Sequence, residues 1–144
     1  MNTIKLLSVI AWALFLGLHT FTDSLEALLY HQKVNFTWDA SPDLLSFFNL
    51  SDLTMIHQYF YIVKFGHFAG FAIMDLLLFS LLRKHRPALV LSVGFAVFTE
   101  TVQLYMGRDG RLYDVVIDSL GILIVYLLLK PSMTNKEYKE SSYL

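Results

Sequence analysis

Long apolar stretches separated by short polar breaks dominate the chain. Residues 4–21 (IKLLSVIAWALFLGLHTF), 61–82, 88–106 and 112–129 each approach the about 20 residues that an α-helix needs to cross a hydrocarbon core at about 1.5 Å per residue. This pattern predicts an all-α integral membrane bundle of four spanning helices over residues 1–130. Between the first and second spans, residues 22–58 form a long loop carrying Asp23, Glu26, Asp39, Asp43 and Asp52. Within it, Ser41-Pro42-Asp43 reads as an N-cap followed by proline at the first helical position, and Leu44, Leu45, Phe47 and Phe48 supply an apolar face. A short interfacial helix is therefore expected there. Ser51-Asp52 reads as the start of a helix that runs on into the second span, and residues 131–144 form a polar tail. Lys5 precedes the first apolar core as it would in a cleavable signal, but GLHTFTDS offers no small-x-small cleavage site, so the segment is expected to remain as a helix.

Composition agrees with a bilayer as solvent. Charged residues make up 16% of the chain, against about 25% in soluble domains, while 56% are hydrophobic and the mean hydropathy is +0.53. The 11 Lys and Arg nearly balance the 12 Asp and Glu, which leaves no basic face for a nucleic acid. The absence of cysteine removes disulfides, thiolate metal sites and cysteine nucleophiles. The distribution of positive charge sets an orientation. Lys5, Arg83, Lys84, Arg86, Lys130, Lys136 and Lys139 fall on one side and Lys33, Arg108 and Arg111 on the other, so seven against three places both termini in the cytoplasm.

The candidate chemistry lies in polar residues that the spans carry despite a cost of about 2.5 kcal/mol or more for a charge at mid-helix. The second span holds Lys64, His67 and Asp75, the third Glu100 and Gln103, and the fourth Asp114 and Asp118, each set following the three- and four-residue spacing of one helix face. The orientation brings all of these but Asp75 into the outer half of the bilayer, beneath the loop Gly107-Arg108-Asp109-Gly110-Arg111. Lys64, Arg108 and Arg111 then meet Glu100, Asp109, Asp114 and Asp118, a nearly neutral set that could be satisfied by structural pairs such as Lys64 with Glu100 and Arg111 with Asp114 or Asp118. Two arginines held outside against the positive-inside bias point instead to an anion gripped by their forked donors, with Gly107 and Gly110 letting the backbone approach it. His67 has no HxxxH or HxxE companion, so no metal and no cofactor are expected. Gly66 and Gly70 form a small-xxx-small step that suits helix packing within or between chains, including an oligomer.

The ordered set Lys64-x-x-His67-Phe68, Glu100-x-x-Gln103, Arg108 and Arg111-x-x-Asp114-x-x-x-Asp118-x-x-Gly121 resembles the VanZ-like family of small bacterial membrane proteins. The resemblance covers about residues 61–129. The family pattern favours Asn where Asp118 stands, so this chain carries an additional carboxylate there. The resemblance implies a location in the bacterial cytoplasmic membrane and an association with low-level resistance to the glycopeptide teicoplanin; it implies no reaction. It marks Lys64, His67, Glu100, Gln103, Arg108, Arg111, Asp114 and Asp118 as the binding residues.

Two functions from different classes follow. One is a binding protein of the cell envelope whose outer-leaflet pocket takes an anionic lipid headgroup, a lipid-linked cell-wall precursor or a lipoglycopeptide antibiotic. The other is a membrane-embedded hydrolase or transferase acting on a lipid-linked substrate, with Glu100 and His67 as candidate catalytic acid and base. The second lacks a recognisable nucleophile, since no GxSxG is present. A proton or ion pathway through Lys64, His67, Asp75 and Glu100 is a third reading, disfavoured by the apolar remainder of the span interiors.

Overall fold

The structure, a computed structural model, describes residues 3–51 and 58–141. Five α-helices occur in it: α1 (Thr3–Phe21), α2 (Leu25–His31), α3 (Gln58–Leu82), α4 (His85–Tyr105) and α5 (Leu112–Ser141). Four of them, all but α2, are long and apolar enough to cross a membrane. The all-helical bundle expected from the apolar pattern is therefore present.

The loop after α1 is more structured than its sequence suggests. Ser24 caps α2, accepting the Ala27 N–H at 3.1 Å, and Gln32 in the left-handed region closes the helix. Where an interfacial helix capped at Ser41 is expected, the chain makes a single 3-10 stretch, Leu44–Phe48, capped by Asp43. The tighter form follows from local bonding: Asp43 accepts the Leu45 N–H on its carboxylate and the Ser46 N–H on its carbonyl, and Asn49 closes on Ser46. Leu45 and Phe48 remain exposed, which keeps the expected apolar face. The helix start expected at Ser51-Asp52 lies outside the described residues. At the other end of the chain, α5 continues past Pro131 to Ser141, so the polar tail begins as a helical extension of the last span.

Three helices form the centre. α3 packs on α4 and α5, and α4 packs on α5, while α1 lies against α3 and α4 and makes no contact with α5 among the described residues. Two apolar clusters fill this frame. One joins Leu16 of α1 to Met74, Leu78 and Ala88, and the other joins Phe71, Ala96 and Ile122 from α3, α4 and α5. The surface is inverted relative to a soluble protein. Ile4 and Leu128 are 73% and 72% exposed, whereas Glu100 and Asp118 are fully buried. Such an inversion is stable where lipid tails bathe the exterior and charge must turn inward.

Hydrogen bonds to main-chain carbonyls dock α1. The Trp12 indole N–H donates to the Gly70 carbonyl and the Lys5 ammonium to the Ser80 carbonyl, both at 2.9 Å. Gly70 therefore serves a contact within this chain, with Leu16 over its Cα, while Gly66 faces open space. Mid-bundle, Ser92 Oγ donates to Asp75 at 3.0 Å, which satisfies the carboxyl that the sequence leaves isolated. Since hydrophobic burial does little to hold helices together in lipid, close backbone approach carries more of the packing. Between α3 and α5 that approach is at Gly121, where any Cβ would collide with the Phe68 carbonyl.

This contact generates the first prediction. Gly121→Ala should destabilise the bundle by about 1–3 kcal/mol, as overpacking does, whereas Gly66→Ala, with nothing within 4 Å of its added methyl, should be neutral or mildly stabilising. Thermal unfolding in detergent distinguishes them; equal midpoints for the two variants would refute the α3–α5 packing described.

Candidate functional site

The polar residues of the sequence motifs collect at one end of the bundle, the end bearing the α1–α3 connection and the α4–α5 loop. The ending of α4 builds this end. Gly107, at φ +61°, terminates the helix; its N–H returns to the Leu104 carbonyl and the Arg108 N–H to the Gln103 carbonyl. These two bonds make a Schellman cap, which needs a residue without Cβ strain at Gly107 and which sets Arg108 immediately beyond the helix. The chain then folds back on α4. Gly110 lies so close to the Glu100 carbonyl that no side chain fits, and the Arg111 N–H donates to Glu100 Oε2 at 3.1 Å. Gly107 thus serves the helix cap and Gly110 the loop's approach to α4.

Ion pairs cross between helices, though with other partners than spacing suggests. Lys64 of α3 donates to both carboxylate oxygens of Asp114 on α5, at 2.6 and 2.7 Å, and its ammonium also lies over the Tyr113 and Phe60 rings at 4.7 and 5.2 Å. The structural pair expected between Lys64 and Glu100 is absent. Glu100 faces His67 instead: His67 Nδ1 stands 3.5 Å from Glu100 Oε1 and 3.4 Å from Asp118 Oδ1. Arg111 does not pair with Asp114 or Asp118. Its guanidinium turns outward to the Asp109 carboxylate at 2.9 Å and to the Ser46 carbonyl, pinning the 3-10 stretch to the start of α5. Being buried and engaged in this way, Arg111 is a strut between loop and helix.

α1 closes the site from the side. Gln103 donates to the Thr20 carbonyl at 3.1 Å, and Arg108 donates to the Thr22 carbonyl. Burial pulls the pKa of the Arg108 guanidinium below its ordinary value, against the opposing pull of Asp109, Glu100 and Asp23. Asp23 itself is fixed by the Thr37 N–H and hydroxyl, both at 2.9 Å. Sequence reading did not single out Asp23, Phe60, Tyr113 or the carbonyls of Thr20 and Thr22. The aromatic residues lie near span ends, where an interfacial role is the ordinary expectation, and a carbonyl leaves no trace in sequence.

Two cavities flank this framework. A polar one of about 490 Å³ is lined by Lys64, His67, Gln103, Arg108 and Asp114 from the motifs, together with Asp23, Phe60, Val63, Gly107, Asp109 and Tyr113. An apolar cleft of about 230 Å³ lies between α1, α2 and α3, walled by Phe15, Leu16, Leu25, Leu29, Ile62 and Phe71 among others. Val63, His67 and Arg108 belong to both. Of the eight binding residues expected from sequence, Lys64, His67, Gln103, Arg108 and Asp114 line the polar cavity, while Glu100, Arg111 and Asp118 stand behind them.

Comparison with known proteins gives one family. A family model described as VanZ/LLP1 matches residues 4–133. A Bacillus subtilis (strain 168) protein named as the uncharacterized membrane protein YwnJ is 31% identical over 132 residues, which make up 92% of this chain and 94% of the relative. No solved structure matches.

The Lys64–Asp114 pair generates the second prediction. Removing one partner strands a charge in a site where both side chains are mostly buried, so Asp114→Asn should cost about 3 kcal/mol. The double variant Lys64→Met, Asp114→Leu should recover most of that loss. Denaturation of the three proteins in mild detergent is the check, and an Asp114→Asn protein as stable as wild type would contradict the pairing.

Proposed function

The chain belongs to the VanZ/LLP1 family, and from that premise we propose that it binds an amphiphilic lipid at its polar end, with the headgroup in the charged cavity and an acyl or prenyl chain in the adjoining cleft. One observation carries the reading: the polar cavity and the apolar cleft share the wall formed by Val63, His67 and Arg108. A ligand that is charged at one end and apolar at the other is the kind that satisfies both spaces at once.

The lining selects among headgroups. Lys64 and Arg108 offer donors to a phosphate or carboxylate. Asp23 and Asp109 face the same space and suit hydroxyl or amino groups beside that anion. A lipid-linked cell-wall precursor has this mixture, more so than a simple anionic phospholipid or a lipoglycopeptide antibiotic. The seven-to-three distribution of Lys and Arg supports a cytoplasmic location for both termini, which puts the cavity at the outer leaflet of the bacterial cytoplasmic membrane. Holding such a lipid there would alter its supply to envelope assembly and thereby susceptibility to glycopeptides such as teicoplanin. The proximity of His67 to two carboxylates favours a second reading, a hydrolase or transferase with Glu100 and His67 as acid and base. Turnover of a lipid-linked substrate that persists in Glu100→Gln and His67→Ala would remove that second reading.

Native mass spectrometry in mild detergent tests the first. Wild type should retain a co-purified lipid. Arg108→Ala should lose most of it through the headgroup, and Gly66→Leu, which projects a side chain from the wall of the apolar cleft, should lose it through the chain. Equal retention in all three proteins would exclude this site.

A further inference from the structure

His67, Glu100 and Asp118 come from α3, α4 and α5 and meet behind the polar cavity. Their geometry is not that of a finished hydrogen-bond network. His67 Nδ1, Glu100 Oε1 and both carboxylate oxygens of Asp118 are buried without a hydrogen-bond partner among the described residues. Glu100 and Asp118 have fully buried side chains. A buried carboxylate oxygen without a donor is costly, and two of these groups sharing one space compound that cost. Nearby cations are engaged elsewhere, with Lys64 on Asp114 and the Arg111 side chain on Asp109 and Ser46.

The spacing has a specific reading. The separations of 3.4 and 3.5 Å from the imidazole nitrogen to the two carboxylate oxygens exceed an ordinary hydrogen bond. They match donor atoms on a shared ion, since ligands held about 2.0–2.1 Å from a tetrahedral centre lie about 3.4 Å apart. All three donor atoms fall within 4.8 Å of one another. We propose that His67, Glu100 and Asp118 bind a divalent transition-metal ion at the junction of α3, α4 and α5. One imidazole and two carboxylates suit Zn2+ or Mn2+, and two positive charges match two carboxylates without a further counter-ion. The Arg111 N–H on Glu100 Oε2 orients that carboxylate from behind, as groups around a metal ligand commonly do. His67 also lines the polar cavity, which gives the ion a route in from water and leaves a position for a water molecule beside its protein ligands.

This inference goes beyond headgroup binding and does not rest on it, because a metal ion could hold the helices together in a protein that binds no lipid. Its test uses the full chain freed of any polyhistidine tag, stripped with chelator in mild detergent and titrated with Zn2+ by calorimetry and with Mn2+ by electron paramagnetic resonance. Wild type should take up one ion per chain, and pulsed spectra of the Mn2+ form should show coupling to an imidazole 14N. His67→Ala should abolish the coupling, Asp118→Asn should weaken binding by about tenfold or more, and Glu26→Gln should leave both unchanged. The wild-type spectrum decides the matter even if a variant fails to fold. No uptake by wild type, bound Mn2+ without 14N coupling, or undiminished affinity in a folded Asp118→Asn protein would each overturn the assignment.

Discussion

Charge placed in hydrocarbon must be met by charge or dipole from another part of the same protein, and this constraint organises the whole bundle. α3, α4 and α5 each carry ionisable groups on one face, so those faces turn toward one another and the remaining apolar faces turn to lipid. Lys64 reaches Asp114, His67 sits between Glu100 and Asp118, and Ser92 covers Asp75. Packing without side-chain bulk then completes the arrangement, because Gly121 lets α5 touch the backbone of α3 and Gly110 lets the loop touch the backbone of α4.

The same constraint explains why one end of the bundle is chemically rich and the remainder is not. The Schellman cap at Gly107, the Arg111 N–H on Glu100 and the Arg111 side chain on Ser46 fix the α4–α5 loop to both neighbouring elements. α1 contributes the Thr20 carbonyl to Gln103, and Thr22 just past its end contributes a carbonyl to Arg108, so that a helix with no acidic residue still shapes the charged cavity. A site supported from three directions holds its geometry against the mobility of surrounding lipid, which suits either specific binding or chemistry.

Much of this was legible in the sequence. The four spans, the single polar end and the membership of Lys64, His67, Gln103, Arg108 and Asp114 in its cavity all follow from apolar length, helical spacing and positive-charge bias. What was not legible is rotation and partner choice. Spacing puts Lys64 on the correct face but cannot say whether it meets Glu100 or Asp114, since a modest turn of α5 decides between them. Arg111 was expected to grip an anion, and its side-chain contact with the Ser46 carbonyl of the 3-10 stretch, unlike that with its neighbour Asp109, has no signal in the local sequence. Spacing within one helix, on which the expectation of no metal rested, does not register that His67, Glu100 and Asp118 converge from three helices. The helix at Leu25–His31 is too short to register as a span, although Ser24 before it is an ordinary N-cap signal.

The central claim is that the charged cavity and the apolar cleft form one amphiphile-binding site. Photo-crosslinking in native membranes tests it most directly, with two lipid-linked precursor analogues carrying a diazirine near the headgroup or near the chain end. The account predicts that the headgroup probe labels residues around Asp109 and Tyr113 and that the chain probe labels Phe15, Leu29 and Ile62. Labels from both probes spread evenly over the exposed faces, with Leu123 and Leu128 of α5 marked as often as the cleft, would contradict it.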